Sequence, residues 1–157
     1  MPYDIEASSD GCYEGTTCLI NKLDIRDEEE LASVEAALTL ANIGLLEQEP
    51  LEGRFDFAHY RAIHKFLFGE LYDWAGEIRT VNLAKKGTQF VPANEIESVG
   101  RAIFERLAAM NFFCDDGFAA FIQHITEFYC DTNLLHPFRE GNGRTQRVFL
   151  AQLIRHA

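Results

Sequence analysis

The sequence predicts a mainly α-helical domain, a compact helical bundle that carries one small β-hairpin. Apolar residues recur at the three- and four-residue spacing of a buried helix face through most of the chain. Helix N-cap patterns precede two of these segments. Residues 77–92 differ, because strand-forming residues there surround a polar centre. A chain of 157 residues is long enough for one hydrophobic core, so we expect a single domain over residues 1–157.

The first two predicted helices occupy residues 27–47 and residues 56 to about 74. Asp27, followed three residues later by Glu30, has the form of an N-cap with a back-bonding glutamate. The apolar face of the first helix is then Leu31, Val34, Leu38 and Leu45. The second helix has a broader apolar face and is expected to stop at Gly76. The residues of that face are Phe57, Tyr60, Ile63, Phe66, Leu67 and Leu71.

Three further helices are predicted in the second half of the chain. Asn94 and Glu97 repeat the capping pattern before the third helix. Its apolar face is Val99, Ile103, Leu107 and Met110. The fourth helix is marked by Phe118, Phe121, Ile122, Ile125 and Phe128. The fifth starts near Gly143 or Arg144 and runs through Val148, Phe149, Leu153 and Ile154.

Residues 77–92, "EIRTVNLAKKGTQFVP", predict a β-hairpin on the surface of the helical core. The strand formers are Ile78, Thr80, Val81, Phe90 and Val91. The loop around Lys85, Lys86 and Gly87 is expected to be longer than two residues. Such a hairpin either closes one end of the core or offers an edge that receives another chain by strand addition.

Composition and charge exclude several classes of protein. The formal net charge of −11 argues against a non-specific nucleic-acid binder, which needs a basic surface. The four cysteines lack zinc-ligand spacing, so we expect buried free thiols in a reducing cytosol. The N-terminus does not resemble a signal peptide, and no stretch is apolar enough to span a membrane. We therefore expect a cytoplasmic protein, or one delivered into another cell where it forms part of an effector.

The stretch "HPFREGNGRTQR", residues 136–147, predicts a phosphate site at the start of the fifth helix. The glycines around Asn142 let backbone N–H groups converge at a helix N-terminus, which favours anions. Arg144 and Arg147 lie three residues apart on that helix, and guanidinium groups suit phosphate oxygens. Three Arg against one Glu give the stretch a local charge of +2 within an acidic chain. The alternative is that these arginines pair with carboxylates on neighbouring helices.

Glu140 and His136 complete the predicted site. A carboxylate beside a phosphate site suits Mg²⁺ held by one protein ligand and the substrate, although a solvated surface glutamate explains it as well. His136 precedes Pro137, which keeps it out of α geometry, and Phe138 is placed to fix the loop to the core. An imidazole there could act as a base near neutrality. The other histidines are interpreted as packed or surface residues: His59, His64, His124 and His156.

These twelve residues resemble the signature of the Fic family, H-P-F-x-[D/E]-G-N-G-R-x-x-R. The stretches "YEGTTCLINKLDIRDEEEL", "LYDWAGEIRTVNL" and "FYCDTNLLHPFREGNGRTQRVF" are similar to toxin-type members of that family, so the resemblance covers nearly the whole chain. It implies the Fic fold, a helical core with a hairpin flap at 77–92. It also implies protein AMPylation, the transfer of AMP from ATP to a Tyr, Ser or Thr hydroxyl of a target protein.

The resemblance also implies a role for each residue of the motif. His136 would be the general base, and Glu140 would hold Mg²⁺. The anion hole would consist of Gly141, Asn142 and Gly143, with Arg144 and Arg147 gripping the phosphates and Phe138 anchoring the loop. The flap residues that position the target would be Lys86, Gly87, Thr88, Gln89 and Phe90. The best-known targets of such enzymes are the ATPase subunits of DNA gyrase and topoisomerase IV.

Family members are commonly silenced by a helix bearing [S/T]-x-x-x-E-[G/N], whose glutamate pairs with the second motif arginine, here Arg147. No copy of that motif occurs in this chain. Either a separate small antitoxin supplies the helix, or the helix lay beyond Ala157 in a longer chain. We expect no direct nucleic-acid or membrane partner.

Two alternatives keep the Fic fold but change the function. One is transfer of phosphate, UMP or phosphocholine. The Doc-type motif has Lys where Gly143 stands, which argues against kinase chemistry. The other is a non-catalytic docking module.

Overall fold

The computed structural model describes residues 4–5 and 11–157, with side chains described from residue 11 onward. The prediction that the N-terminus is not a signal peptide falls largely on residues 1–3 and 6–10, which lie outside the described residues. The helices of the described chain are α1 Glu28–Gln48, α2 Phe57–Phe68, α3 Ile96–Ala109, α4 Phe118–Leu135 and α5 Asn142–His156. The strands are β1 Asp4–Ile5, β2 Leu83–Lys85 and β3 Thr88–Gln89. The predicted mainly helical fold is confirmed.

Helix α1 begins as predicted but buries a different stripe of side chains. The Asp27 carboxylate accepts a hydrogen bond from the Glu30 N–H at 2.8 Å. Leu45, which belongs to the predicted apolar face, is 54% exposed. Leu31 is buried as predicted, and Val34 and Leu38 are half-buried against the core. The fully buried residues of the helix are Leu31, Glu35, Thr39, Asn42 and Leu46. Three of these five side chains are polar. Glu35 and Thr39 contact the functional site described below, and Asn42 donates to backbone carbonyls at the end of α2.

Helix α2 ends at Phe68, so the predicted extension to Trp74 is wrong. The Gly69 N–H still donates to the Lys65 carbonyl, after which the chain folds back along α2 in turns. Leu71 is buried in these turns, although it does not belong to the helix. The chain returns close enough to α2 that a Cβ on Gly76 would lie 2.9 Å from the Lys65 Cβ.

Helices α3 and α4 also depart from the predicted pattern. The predicted cap at Asn94 is wrong, because Ala93–Glu95 forms a 3₁₀ turn closed by a hydrogen bond from the Glu95 N–H to the Pro92 carbonyl. On α4, Phe118 and Ile122 are 83% and 47% exposed. These two residues therefore lie in α4, as predicted, but not on its buried face.

The hairpin has a two-residue turn, so the prediction of a longer loop is wrong. The predicted strand formers are also wrong, because all of them lie outside β2 and β3: Ile78, Thr80, Val81, Phe90 and Val91. Lys86 and Gly87 have φ values of 50° and 79°, the left-handed values that a tight turn between antiparallel strands requires. Strand β2 also pairs antiparallel with β1, with Asp4 opposite Ala84. The described sheet therefore has the order β1-β2-β3, and β3 is the edge strand of the hairpin. Strands of two or three residues are too short to show a sequence period, which explains the difference.

The core is an aromatic cluster centred on Phe149 of α5. This side chain is fully buried, and the rings of Phe55, Tyr60, Phe104 and Phe128 lie 5.3–5.9 Å from it, centroid to centroid. Burial of aromatic rings at such distances is a major contribution to the stability of a small domain. The cluster joins α2, α3 and α4 to α5, the helix whose first turn carries the motif.

Cysteines and membrane spans complete the comparison with the sequence predictions. All four cysteines are free, but the prediction that they are buried is wrong for Cys114 and Cys130, which are exposed. Among the described residues, no helix is both long and apolar enough to cross a bilayer.

Candidate active site

The motif forms a loop between two left-handed residues. His136 ends α4 with φ 43°, and Gly141 begins α5 with φ 79°. A Cβ on Gly141 would lie 2.3 Å from the Phe68 ring, so only glycine fits there. The loop thus turns sharply at both ends and places a histidine at its start and a helix N-terminus at its end.

The imidazole of His136 is held in one tautomer beneath the hairpin. Its Nδ1 lies 3.0 Å from the Asn133 carbonyl, which can only accept, so Nδ1 carries the proton and Nε2 is the basic nitrogen. The Phe90 ring stacks on it at 3.8 Å, and His136 is only 7% exposed. Burial, with the positive charges of Arg79 and Lys85, lowers the pKa of His136 to about 4, against the opposing effect of the Asn133 carbonyl.

The other end of the loop is an open helix N-terminus. The first backbone hydrogen bond of α5 runs from the Thr145 N–H to the Gly141 carbonyl at 3.1 Å. Within residues 11–157 the backbone N–H groups of residues 142–144 have no acceptor, so they are available to an anion. The Asn142 side chain instead closes the loop, since it accepts from the Phe138 N–H and donates to the Phe138 carbonyl.

Arg144 is paired with a carboxylate, as the alternative interpretation held. One of its Nη atoms contacts the Glu35 carboxylate of α1, and the other donates to the Thr39 hydroxyl at 3.2 Å. Its guanidinium carbon lies 4.8 Å from the centre of the Phe68 ring. The Tyr72 hydroxyl donates to the same Glu35 carboxylate. Burial and this carboxylate together raise the pKa of Tyr72, so it stays a donor.

Arg147 has very different surroundings. It is exposed and forms no ion pair within the described part of the chain. Its Nη1 lies 3.2 Å from the position that a Cβ on Gly143 would take, so the side chain lies along the first turn of α5. Both motif arginines line a groove of about 140 Å³ between α1 and α5. The remaining residues of this α1–α5 groove are Ile43, Leu46, Glu47, Val148, Ala151, Gln152 and Arg155.

Glu140 lies beside the N-terminus of α5. One of its Oε atoms accepts from the Gly141 N–H at 2.8 Å and lies 3.7 Å from an Arg144 Nη atom. Its side chain is 33% exposed, so the carboxylate is accessible. No cluster of three or more metal-ligating side chains occurs within residues 11–157. A single accessible carboxylate fits Mg²⁺ held mainly by phosphate oxygens and water, and does not fit a cage made by the protein alone.

Phe138 and His64 connect the loop to α2. Phe138 is fully buried, and its ring stacks on that of His64 at 3.8 Å. The Gly76 N–H donates to His64 Nδ1 at 2.8 Å, so Nε2 carries the proton and donates to the Glu140 carbonyl at 3.0 Å. Burial lowers the pKa of His64 to about 3, which keeps the ring neutral and this arrangement intact.

The predicted flap residues lie at and after the hairpin turn. Lys86, Gly87, Thr88 and Gln89 are exposed, whereas Phe90 is half-buried over His136. The structure thus brings the predicted base, loop anchor, helix N-terminus and flap together at one site.

Four residues of this site were missed by sequence reasoning. Glu35 and Thr39 hold Arg144, His64 holds the loop, and Arg79 donates to the His136 carbonyl at 2.8 Å. One signal was present for the first two, because Leu31, Glu35 and Thr39 share a helix face at four-residue spacing. No comparable local signal marks His64 or Arg79.

Comparison with known proteins defines the class. A model of the Fic/DOC family matches residues 54–154, so the chain belongs to the Fic/DOC family. The probable protein adenylyltransferase y4lH of Sinorhizobium fredii is 38% identical over 148 residues, which are 93% of this chain and 75% of that protein. The probable protein adenylyltransferase Fic of Escherichia coli is 33% identical over 145 residues, which are 92% of this chain and 72% of that protein.

A solved structure extends the similarity to the fold. The N-terminal Fic domain of a VirB-translocated effector protein from Bartonella quintana, determined with bound ADP, superposes with a TM-score of 0.87. The two sequences are 29% identical, and the match covers 94% of this chain and 76% of that one. The Fic fold is therefore confirmed. With relatives of this kind over most of its length, the chain is an enzyme of the nucleotidyltransferase class.

Proposed function

We propose that this chain transfers AMP from ATP to a hydroxyl group of a target protein. The observation that carries the proposal is the loop geometry. His136 with a basic Nε2 stands at one end of the loop 136–141, and the open N-terminus of α5 stands at the other. A base and an anion site joined by one short loop suit a reaction in which an alcohol attacks a phosphate.

The proposed reaction uses these positions in one step. The target oxygen attacks the α-phosphorus of ATP, and its proton passes to His136 Nε2. The bond between the α-phosphorus and the bridging oxygen to the β-phosphate breaks, and pyrophosphate leaves with the electron pair. The N–H groups of residues 142–144 and the guanidinium of Arg147 neutralise phosphate charge during this step.

We propose that Glu140 holds Mg²⁺ against the phosphates, where the ion would neutralise charge that develops on the leaving group. The accessible carboxylate at the helix N-terminus supports this role. The chain's own contribution is to hold Glu140 in place, since its carbonyl accepts from His64 and its carboxylate accepts from the Gly141 N–H.

We propose that the target presents its Tyr, Ser or Thr on an extended segment paired with the hairpin. Thr88 and Gln89 are exposed in edge strand β3, which supports main-chain pairing there. Phe90, which follows β3 and stacks on His136, sets the distance between that segment and the base. The ATPase subunits of DNA gyrase and topoisomerase IV are the first targets to test.

We also propose that a small antitoxin silences the enzyme from the α1–α5 groove. Exposed Arg147 lines this groove and lacks a carboxylate partner within the described residues, so a glutamate from a partner helix could take its place opposite the phosphate. Gln152 lines the same groove, is 7% exposed, and has no hydrogen-bond partner for Nε2 among the residues described. A partner carbonyl or carboxylate would satisfy this buried donor. Co-expression with the antitoxin should suppress toxicity in wild type, and Arg147→Ala should weaken antitoxin binding.

The experiment that tests the transfer is incubation of the chain with α-labelled ATP, Mg²⁺ and each purified target. Wild type should label the target, and His136→Ala should bind ATP without labelling it. Equal labelling by the two proteins would contradict the proposal. Label from UTP or γ-labelled ATP would indicate the alternative transfer of UMP or phosphate. A biological effect that survives His136→Ala would indicate a docking module.

A further inference from the structure

Arg79 occupies a buried position between the hairpin and the catalytic loop. The residue is only 4% exposed, which is uncommon for an arginine. Its side chain donates three hydrogen bonds to backbone carbonyls: Nε to His136 at 2.8 Å, Nη1 to Val81 at 2.7 Å and Nη2 to Val91 at 2.6 Å. The guanidinium therefore joins three separate points of the backbone.

The first of these bonds acts on the residue that carries the base. His136 has φ 43°, a left-handed conformation that residues other than glycine adopt only when their surroundings hold them there. Arg79 holds two successive carbonyls of this turn, because its own N–H also donates to the Pro137 carbonyl at 2.9 Å. Arg79 thus holds the backbone from which the imidazole projects.

The other two bonds act on the hairpin. Val81 lies two residues before β2 and Val91 lies two residues after β3, so the two Nη atoms hold both ends of the hairpin at its base. Phe90, next to Val91, stacks on the His136 ring at 3.8 Å. One guanidinium therefore fixes the position of the hairpin relative to the backbone of His136.

We propose that Arg79 is a positioning residue that couples the target-binding hairpin to the base, an inference that rests on the proposed function. It requires arginine in particular, because a planar fork with five N–H donors reaches three carbonyls in fixed directions and a lysine ammonium cannot. The carbonyls that Arg79 holds in the described structure lie at the histidine end of the loop and at the base of the hairpin. At the phosphate end, Glu35 and Thr39 of α1 hold Arg144 instead. Loss of Arg79 should therefore lower kcat/KM for the target protein and leave ATP affinity unchanged.

The test compares Arg79→Lys with Arg61→Lys. Arg61 is the control, since its Nε also donates to a backbone carbonyl, that of Gly76, at 2.8 Å. Its ion-pair partners are Glu77 and Glu97, which belong neither to the loop nor to β2 or β3. We expect Arg79→Lys to lower kcat/KM for the target by about 100-fold, through both kcat and target KM, while ATP affinity stays within about twofold of wild type. Arg61→Lys should keep both quantities near wild type.

Two outcomes overturn the inference while the proposed function stands: wild-type kcat/KM in Arg79→Lys, or a parallel loss of ATP affinity and transfer. A wild type no more active than His136→Ala would instead refute the proposed function. If Arg79→Lys does not fold, an NMR measurement on the wild-type chain still tests the inference. The Arg79 Nε–H should exchange slowly with solvent by NMR, with a contact to His136, and a freely exchanging Nε–H overturns the inference without any activity assay.

Discussion

The two ends of the catalytic loop are built differently. His136 is buried, fixed in one tautomer by Asn133, covered by Phe90 and held through its carbonyl by Arg79. At the other end, backbone N–H groups lie open within the described structure, and Arg147 is exposed. Under the proposed function, the end that would move a proton is held in place by contacts within the chain, whereas the end that would bind phosphate keeps its donors accessible. The predicted base is therefore preorganised in the free chain, whereas the N–H groups at the start of α5 gain their acceptor only when an anion binds.

The largest effect should come from the base. His136→Asn should lower kcat by about 10³-fold, because no group replaces the basic Nε2, and ATP affinity should stay near wild type. His156→Asn is the matched control, since this histidine is exposed at the end of α5. Steady-state kinetics and calorimetric ATP binding check the prediction. Loss of ATP binding in His136→Asn would show that the two ends are not separable.

Gly141→Ala should disrupt the start of α5, because alanine does not fit the backbone conformation of Gly141. The added Cβ would meet the Phe68 ring at a position with φ 79°. We therefore expect the free energy of unfolding to fall by about 2–4 kcal/mol, and ATP affinity to fall as well. Gly44→Ala in α1 is the control, because a Cβ there meets nothing within 4 Å. Urea unfolding of both variants measures the difference. Equal stability of the two variants would contradict the account.

The two motif arginines should differ in their contribution to stability. Arg144→Ala leaves the buried Glu35 carboxylate without its cation, so it should lower the free energy of unfolding by about 2–3 kcal/mol. Arg147→Ala should change it by less than about 0.5 kcal/mol, because the side chain is exposed. Both variants should weaken ATP binding. An Arg144→Ala variant as stable as Arg147→Ala would show that the Glu35 contact contributes little.

The smallest effect is expected from pH near neutrality. Burial and the positive charges nearby lower the pKa of His136 to about 4, so the base is already deprotonated well below neutral pH. Since a base must be deprotonated to act, kcat/KM should rise through about pH 4 and vary by less than about twofold from pH 6 to pH 8 on account of His136. NMR titration of the ring checks this. A midpoint near the ordinary histidine value of about 6.5 would contradict it.

The parts of the site that were predictable lie close together in sequence. His136, Phe138 and the start of α5 fall within one short stretch, so local chemistry and backbone geometry reveal them. Arg79 and Glu35 act from other elements, and the partner of Glu35 lies 109 residues further along the chain. A polar residue in a helix pattern indicates a solvated face when its partner is unknown. This explains why the predicted apolar face of α1 differs from the buried one.

The fold shows the same limit. The starts of α1 and α2 were predictable, because Asp27 and Asp56 accept from N–H groups three residues ahead. The end of α2 was not, because Leu71 and Tyr72 are buried in the turns beyond Phe68 and so extend the apolar pattern past the helix. Apolar spacing therefore does not locate the end of a helix, because buried apolar residues continue into the turns that follow it.

The intact mass of a target protein incubated with the chain, ATP and Mg²⁺ tests the central claim most directly. Wild type should add about 329 Da, the mass of one adenylyl group, to a single Tyr, Ser or Thr, and His136→Ala should add nothing. A gain of about 80 Da, or the same gain from both proteins, would contradict transfer of AMP by a histidine-activated hydroxyl at this loop.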